Sequence, residues 1–221
     1  MIDINCYMEQ LSRLLKERFL SRLFYIGLQG SYLRGEATEN SDIDIMVVIA
    51  DLSVDDLDNY RSIIQSLGSY DKSCGFICSR EDLLHWNPLE ICHLLHSTKD
   101  YVGILAELVP AYTRDDIKLF IKMSVNNLYH AICHHHIHAE SNLDMETLCA
   151  AYKGVFFILQ NIYYLTSQNF ISTKNELLSL LDGKDHAVLR RSIELNQGIP
   201  HDYSESFELL FTWCQETMKT I

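Results

Sequence analysis

Asp42 and Asp44 stand two residues apart at the head of an apolar run, and a Gly30-Ser31 pair precedes them. Side chains on a strand alternate faces, so both carboxylates project the same way. Like charges repel, and a hard divalent cation supplies a reason to keep them together. Mg²⁺ takes carboxylate oxygens and holds its remaining positions for water and substrate phosphates. Gly30 allows a tight turn and a close approach of backbone to a ligand. Backbone N–H groups and the Ser31 hydroxyl there, just ahead of a candidate helix N-terminus, suit a phosphate. The competing reading is a glycine-serine turn followed by two solvated acids.

The elements that must position these residues are short. Leu23–Leu28 (LFYIGL) reads as a buried strand leading into the turn, and Ile45–Ile49 (IMVVI) as a second strand after the acids. In full the stretch is GSYLRGEATENSDID. It resembles the signature of the nucleotidyltransferase superfamily that includes DNA polymerase β and kanamycin nucleotidyltransferase. That signature is G-S, often an Arg-Gly pair, then S-D-x-D at the head of a strand. The resemblance implies Mg²⁺ on Asp42 and Asp44, and a nucleoside triphosphate, ATP foremost, near Gly30, Ser31, Arg34 and Ser41. For Arg34 two readings stand level: a phosphate contact, or a salt bridge to Glu36, Glu39 or Asp42.

The third strand, Ser73–Cys78 (SCGFIC), departs from the family pattern. The superfamily usually places a third carboxylate there, and the matching position is Gly75, beside Cys74 and Ser73. Asp71 lies early; Glu81 and Asp82 lie past the end. One of these substitutes, or Glu90 does, or the site works with two carboxylates. The SREDLLHWNPLE segment is similar to the P-W-x-x-P-x-x-x-E-L region of streptomycin/spectinomycin adenylyltransferases, where an acid faces the acceptor. By that resemblance Glu90 is the third catalytic candidate beside Asp42 and Asp44; otherwise it is a solvated or capping residue. Trp86 reads as packing.

At 221 residues with 48% apolar content the chain can bury a sizeable core. No apolar run reaches about 18 residues, so no membrane span is expected, and the N-terminus lacks a signal-peptide core. Seven cysteines without C-x-x-C pairs point to reduced thiols, a cytoplasmic location and no structural zinc. A net charge of −12 disfavours a nucleic-acid polymer as partner and suits a cationic small molecule or solubility.

Apolar spacing predicts helices over 3–20, 51–67, 81–85 and 89–96, then a junction at 104–115 carrying Pro110. Beyond it come helices over 115–138, 145–166, 175–181, 186–195 and 204–219, and no convincing strand. The expected fold is an α/β (α+β) nucleotidyltransferase domain with a small mixed sheet, residues 1–108, followed by an all-α helical bundle, residues 109–221. Ile171-Ser172-Thr173-Lys174 resembles an S-K motif of the streptomycin-type enzymes, which implies Lys174 at the triphosphate; the other reading is an exposed loop lysine. Lys153, inside an apolar helix, either snorkels or points at phosphates. His130, His134, His135, His136 and His138 crowd one helix end. His130 and His134 are spaced as zinc ligands can be, but no acid or cysteine matches, and a solvated helix end is the reading preferred.

The leading expectation is transfer of AMP from ATP to a hydroxyl of a small molecule, with aminoglycoside-like antibiotics the foremost class and lincosamide-like acceptors open. An antitoxin-type protein adenylyltransferase is the alternative. Its ribonuclease partners carry R-x4–6-H on a helix, and the R-x4-H here, Arg80 to His85, falls in the wrong half. A nucleotide-binding protein with weakened catalysis is the third reading.

Overall fold

Ile43–Ile49 (β2) is apolar at every position but Asp44, as strands covered on both faces are. The computed structural model describes residues 2–139 and 145–221, which form two units, one ending at Tyr112 and the other beginning at Thr113. In the first, β2 sits inside a four-stranded sheet with Leu23–Leu28 (β1), Ser73–Ser79 (β3) and Lys99–Val102 (β4), in the order β3-β2-β1-β4. β1 pairs antiparallel with β2 and β4, while β3 runs parallel to β2.

One face of the sheet presents Ile43, Ile45, Val47 and Ile49 to the helix Ile4–Phe19 (α1), which buries Tyr7, Met8, Leu11, Leu15 and Phe19. Those positions recur at three and four residues, the spacing of a single helix face. Asp3 starts α1, its carboxylate accepting from the N–H groups of Asn5 and Cys6 at 3.1 Å. Tyr60, Ile63 and Ile64 of the helix Val54–Ser66 (α3) pack on the same side.

The opposite face carries Met46, Val48 and Cys78. It is covered by Leu83 of the short helix Arg80–Leu84 (α4) and by Ile91 and Leu94 of Pro88–His96 (α5). Each such apolar side chain taken fully from water contributes about 1.5–3 kcal/mol. Asp44 alternates with Met46 and Val48, so its side chain belongs to the α4/α5 face.

The far end of β2 is pinned by Arg22. Its guanidinium donates to the carbonyls of Ala50 and Asp51 at 3.0 Å and to Asp56 Oδ2 at 2.6 Å. Asp56 also closes the capping box of α3, accepting from the Ser53 N–H at 3.0 Å.

The second unit contains no strand among its described residues. Its helices are Arg114–His138 (α6), Met145–Lys153 (α7), Val155–Ser167 (α8), Lys174–Leu180 (α9), Gly183–Asn196 (α10) and Tyr203–Thr220 (α11). With Gly30–Arg34 (α2) in the first unit, these complete the α-helices among the described residues. The expected helix over 145–166 is two helices, divided at Gly154. Its core joins Ile121 and Val125 of α6, Phe156 and Leu159 of α8, Leu189 of α10, and Leu210 and Trp213 of α11. Two of its buried polar side chains are paired across helices: Tyr152 donates to the Ser206 carbonyl, and Ser192 to the Tyr152 carbonyl, each at 2.8 Å. Lys153 is exposed at the end of α7, next to the buried Tyr152.

Candidate active site

β1 ends at Leu28, and the chain turns through Gln29 into α2. The Gln29 N–H donates to the Asp44 carbonyl at 2.8 Å, which ties the turn to β2. Gly30 begins α2 at φ +70°, a left-handed conformation that favours glycine. A Cβ there would lie 1.9 Å from Asp44 Oδ2. The Asp44 carboxylate therefore fills the space that a side chain at position 30 would take. Strand, turn and acid are built as one unit.

The structure places Asp44 as the second residue of β2 and Asp42 just before the strand, exposed. β2 starts two residues earlier than its apolar run suggests. Partial burial raises the Asp44 pKa, and the Asp42 charge adds to that. A hydrogen bond from the Cys74 thiol and the nearby Arg34 charge act in the other direction. Among the described residues no cation is salt-bridged to Asp44: Arg34 is bonded to Glu36, Nε to Oε2 at 3.0 Å, with both side chains mostly covered. Of the two sequence readings for Arg34, the structure contains the salt bridge to Glu36, set close enough to act on Asp44.

The residue of β3 opposite Asp44 is Cys74, by the parallel register Asp44↔Cys74 and Ile45↔Gly75. Gly75 has φ +110°, and a Cβ would meet the Ile45 carbonyl oxygen at 2.0 Å. A carboxylate at position 75 is thus barred by backbone, and the side chain presented to Asp44 is a thiol. Partial desolvation of the otherwise exposed Cys74 raises its thiol pKa, and the charges of Asp44 and Asp42 push it further.

Two positions along β3 from Cys74, Phe76 shares its face. The Trp86 ring stacks on Phe76, centroids 5.4 Å apart and planes 16° from parallel. The Trp86 indole Nε1–H donates to Glu90 Oε2 at 2.9 Å. Glu90 therefore sits over the same sheet face as Asp44, held through Trp86 and Phe76. One helical turn on, α5 carries His93, which the sequence did not single out. Burial and the Arg34 charge press its pKa down to about 4, keeping the imidazole neutral at neutral pH. The i, i+3 spacing from Glu90 was the available signal.

The remaining sequence candidates are placed as follows. Ser31 is half-buried in α2. The Ser41 hydroxyl accepts from the Thr38 N–H at 2.8 Å and so closes the loop before β2. Lys174 belongs to the second unit, at the first residue of α9, its ammonium 5.9 Å from the Phe156 ring centre. Asp71 is exposed in the turn before β3, and Asp82 is engaged in the α4 capping box with Ser79.

Asp42 and Asp44 fit a hard divalent cation by their chemistry: two neighbouring carboxylates, the Asp44 pKa raised first by burial and further by the Asp42 charge, with Gly30 leaving room for the Asp44 carboxylate. Among the described residues no group of three His, Cys, Asp or Glu is arranged to hold an ion. Opposite Asp44 on β3 stands Cys74, and Gly75, the position matched to the third acid, carries no side chain.

Residues 8–76 match the family model described as a nucleotidyltransferase domain. No curated protein matches. Among solved structures, the chain is similar to spectinomycin adenyltransferase from Enterococcus faecialis, crystallised with ATP and spectinomycin. Identity is 13%, coverage is 98% of this chain and 99% of that one, and the TM-score is 0.63. This likeness is one of fold. A toxin-antitoxin structure with AMP-PNP is 25% identical over 52% of this chain and 81% of that chain, at a TM-score of 0.32. A nucleotidyltransferase-like protein from Exiguobacterium sibiricum 255-15 is 12% identical over 96% and 75%, at 0.39.

Proposed function

We propose that this chain, a nucleotidyltransferase by the domain in its first unit, transfers AMP from ATP to a hydroxyl of a small cationic acceptor, with aminoglycoside-like compounds the foremost class. The observation that carries the reading is the packing of the Asp44 carboxylate against Gly30, which joins acid pair and phosphate turn in one structure. The neighbour of like fold that holds ATP and spectinomycin supports the choice of nucleotide and acceptor class, and so does the net charge of −12.

Asp42 and Asp44 would hold Mg²⁺. Such an ion would supply neutralisation of the triphosphate's negative charge during transfer. The Gly30 backbone and Ser31 receive the β- and γ-phosphates. Arg34, fixed by Glu36, sets a positive charge behind Asp44 and lowers its proton affinity. Glu90, oriented by the Trp86 indole, accepts the proton of the acceptor hydroxyl as its oxygen bonds the α-phosphorus and pyrophosphate departs. Lys174 is proposed as a further triphosphate contact by the S-K resemblance alone.

One observation favours a second reading, nucleotide binding with slow transfer: the thiol of Cys74 occupies the position opposite Asp44. Incubation with α-labelled ATP, Mg²⁺ and a panel of aminoglycosides, aminocyclitols and lincosamides separates the two. Labelled acceptor with release of pyrophosphate is the expected result. ATP binding with no labelled product from any acceptor supports the second reading.

A further inference from the structure

The five histidines closing α6 divide by what each touches. His135 is half-buried beside an apolar cavity of about 230 Å³ with Ile132, Leu148 and Phe207. His136 stacks on Phe207, with ring centroids 4.2 Å apart. His130, His134 and His138 do neither; all three are exposed on one stripe, four residues apart. Their rings are neighbours, at 5.9 Å between His130 and His134 and 4.7 Å between His134 and His138.

We propose that His134 and His138 form a bidentate site for a borderline divalent transition-metal ion of the Ni²⁺, Cu²⁺ and Zn²⁺ class. Residues at i and i+4 meet on a helix surface. Imidazole nitrogens suit these ions and bind at about 2.0–2.1 Å. Two nitrogens sharing one ion must therefore stand within about 4 Å of each other. Rings 4.7 Å apart and tilted 49° reach that spacing by side-chain rotation alone. The His130–His134 pair, which the sequence spacing alone suggests equally well, starts 1.2 Å wider (5.9 against 4.7 Å).

Cys133, adjacent to His134, lies instead near Cys214 of α11, so no thiolate joins the pair. Among the described residues no third His, Cys, Asp or Glu completes a cluster, and the proposed site is a two-nitrogen one. The ion clips successive turns at the end of α6. The site is of opposite character to the Asp42–Asp44 pair: nitrogen donors for borderline ions, against oxygen donors for Mg²⁺. It is independent of the nucleotide chemistry.

The test is calorimetric titration of the full chain with Ni²⁺ at pH 7.5, with thermal melting alongside. Ni²⁺ is chosen because the exposed Cys6 and Cys74 thiols do not reduce it. One equivalent bound, weakened at least tenfold in both His134→Gln and His138→Gln and unchanged in His136→Gln, is expected. Ni²⁺ should raise the melting temperature of the wild type and not of His138→Gln. Equal affinity in wild type and His134→Gln overturns the proposal. A larger loss in His130→Gln than in His138→Gln also overturns it, by assigning the pair to the wider spacing. All four substituted positions are exposed, so the variants keep the fold.

Discussion

Asp44 and Asp56 are acids associated with opposite ends of β2, and the protein surrounds them in opposite ways. Asp56 is buried and fully partnered. The Arg22 guanidinium and the Ser53 N–H hold its pKa well below the usual carboxylate range. Asp44 is partly buried with no cation bonded to it, beside a second acid, and its pKa is raised. Arg34, the cation near enough to neutralise it, is tied to Glu36. An acid kept for the fold is paired within the chain. An acid left underpaired at a cost to the folded state fits the proposed role of Asp44 in holding a ligand.

Gly30→Ala attacks the comparison at its most sensitive point. The added Cβ displaces the Asp44 carboxylate, and misplacement on the order of 1 Å lowers transfer about 100-fold. Steady-state rates on an identified acceptor measure this. Retention of full activity would separate Asp44 from the site.

Asp56→Ala probes the other acid. Loss of charged hydrogen bonds and of the α3 cap lowers stability by about 2 kcal/mol, read by urea unfolding, with the ATP dissociation constant unchanged. The depressed pKa makes this contribution fully present above about pH 4 and lost below it. The variant should therefore differ from wild type at pH 7 and converge on it in strong acid.

Asp44→Asn gives the smallest effect on stability, with the reverse sign. The folded state binds its proton more tightly than the unfolded chain does. Stability therefore falls as pH rises from about 4 through the raised pKa, and the deficit persists above it. Removing the charge should raise the melting temperature at pH 7 by on the order of 1 °C while abolishing transfer. A lower melting temperature would mean that Asp44 is paired after all.

The acid pair and the glycine turn were legible because their residue types lie close together in sequence, between two recognisable apolar runs. Relations across strands were not. That Cys74 faces Asp44 is a matter of register, and that Gly75 cannot carry an acid follows from the Ile45 carbonyl pressed against it. β4 escaped notice because Lys99 and Asp100 make half of a four-residue edge strand charged and exposed, which is how edges resist pairing with other chains. His93 is unremarkable in sequence; its low proton affinity arises from burial beside Arg34. Gly154 splits 145–167 into two helices although apolar residues continue on both sides of it.

The most direct test of the central claim is calorimetric titration with ATP, with and without Mg²⁺, of the wild type and of the Asp42→Ala/Asp44→Ala variant. Binding that requires Mg²⁺ and disappears in the variant is the predicted result. Mg²⁺-independent binding, or equal binding by the variant, would contradict a site in which these two carboxylates hold the cation that receives the nucleotide.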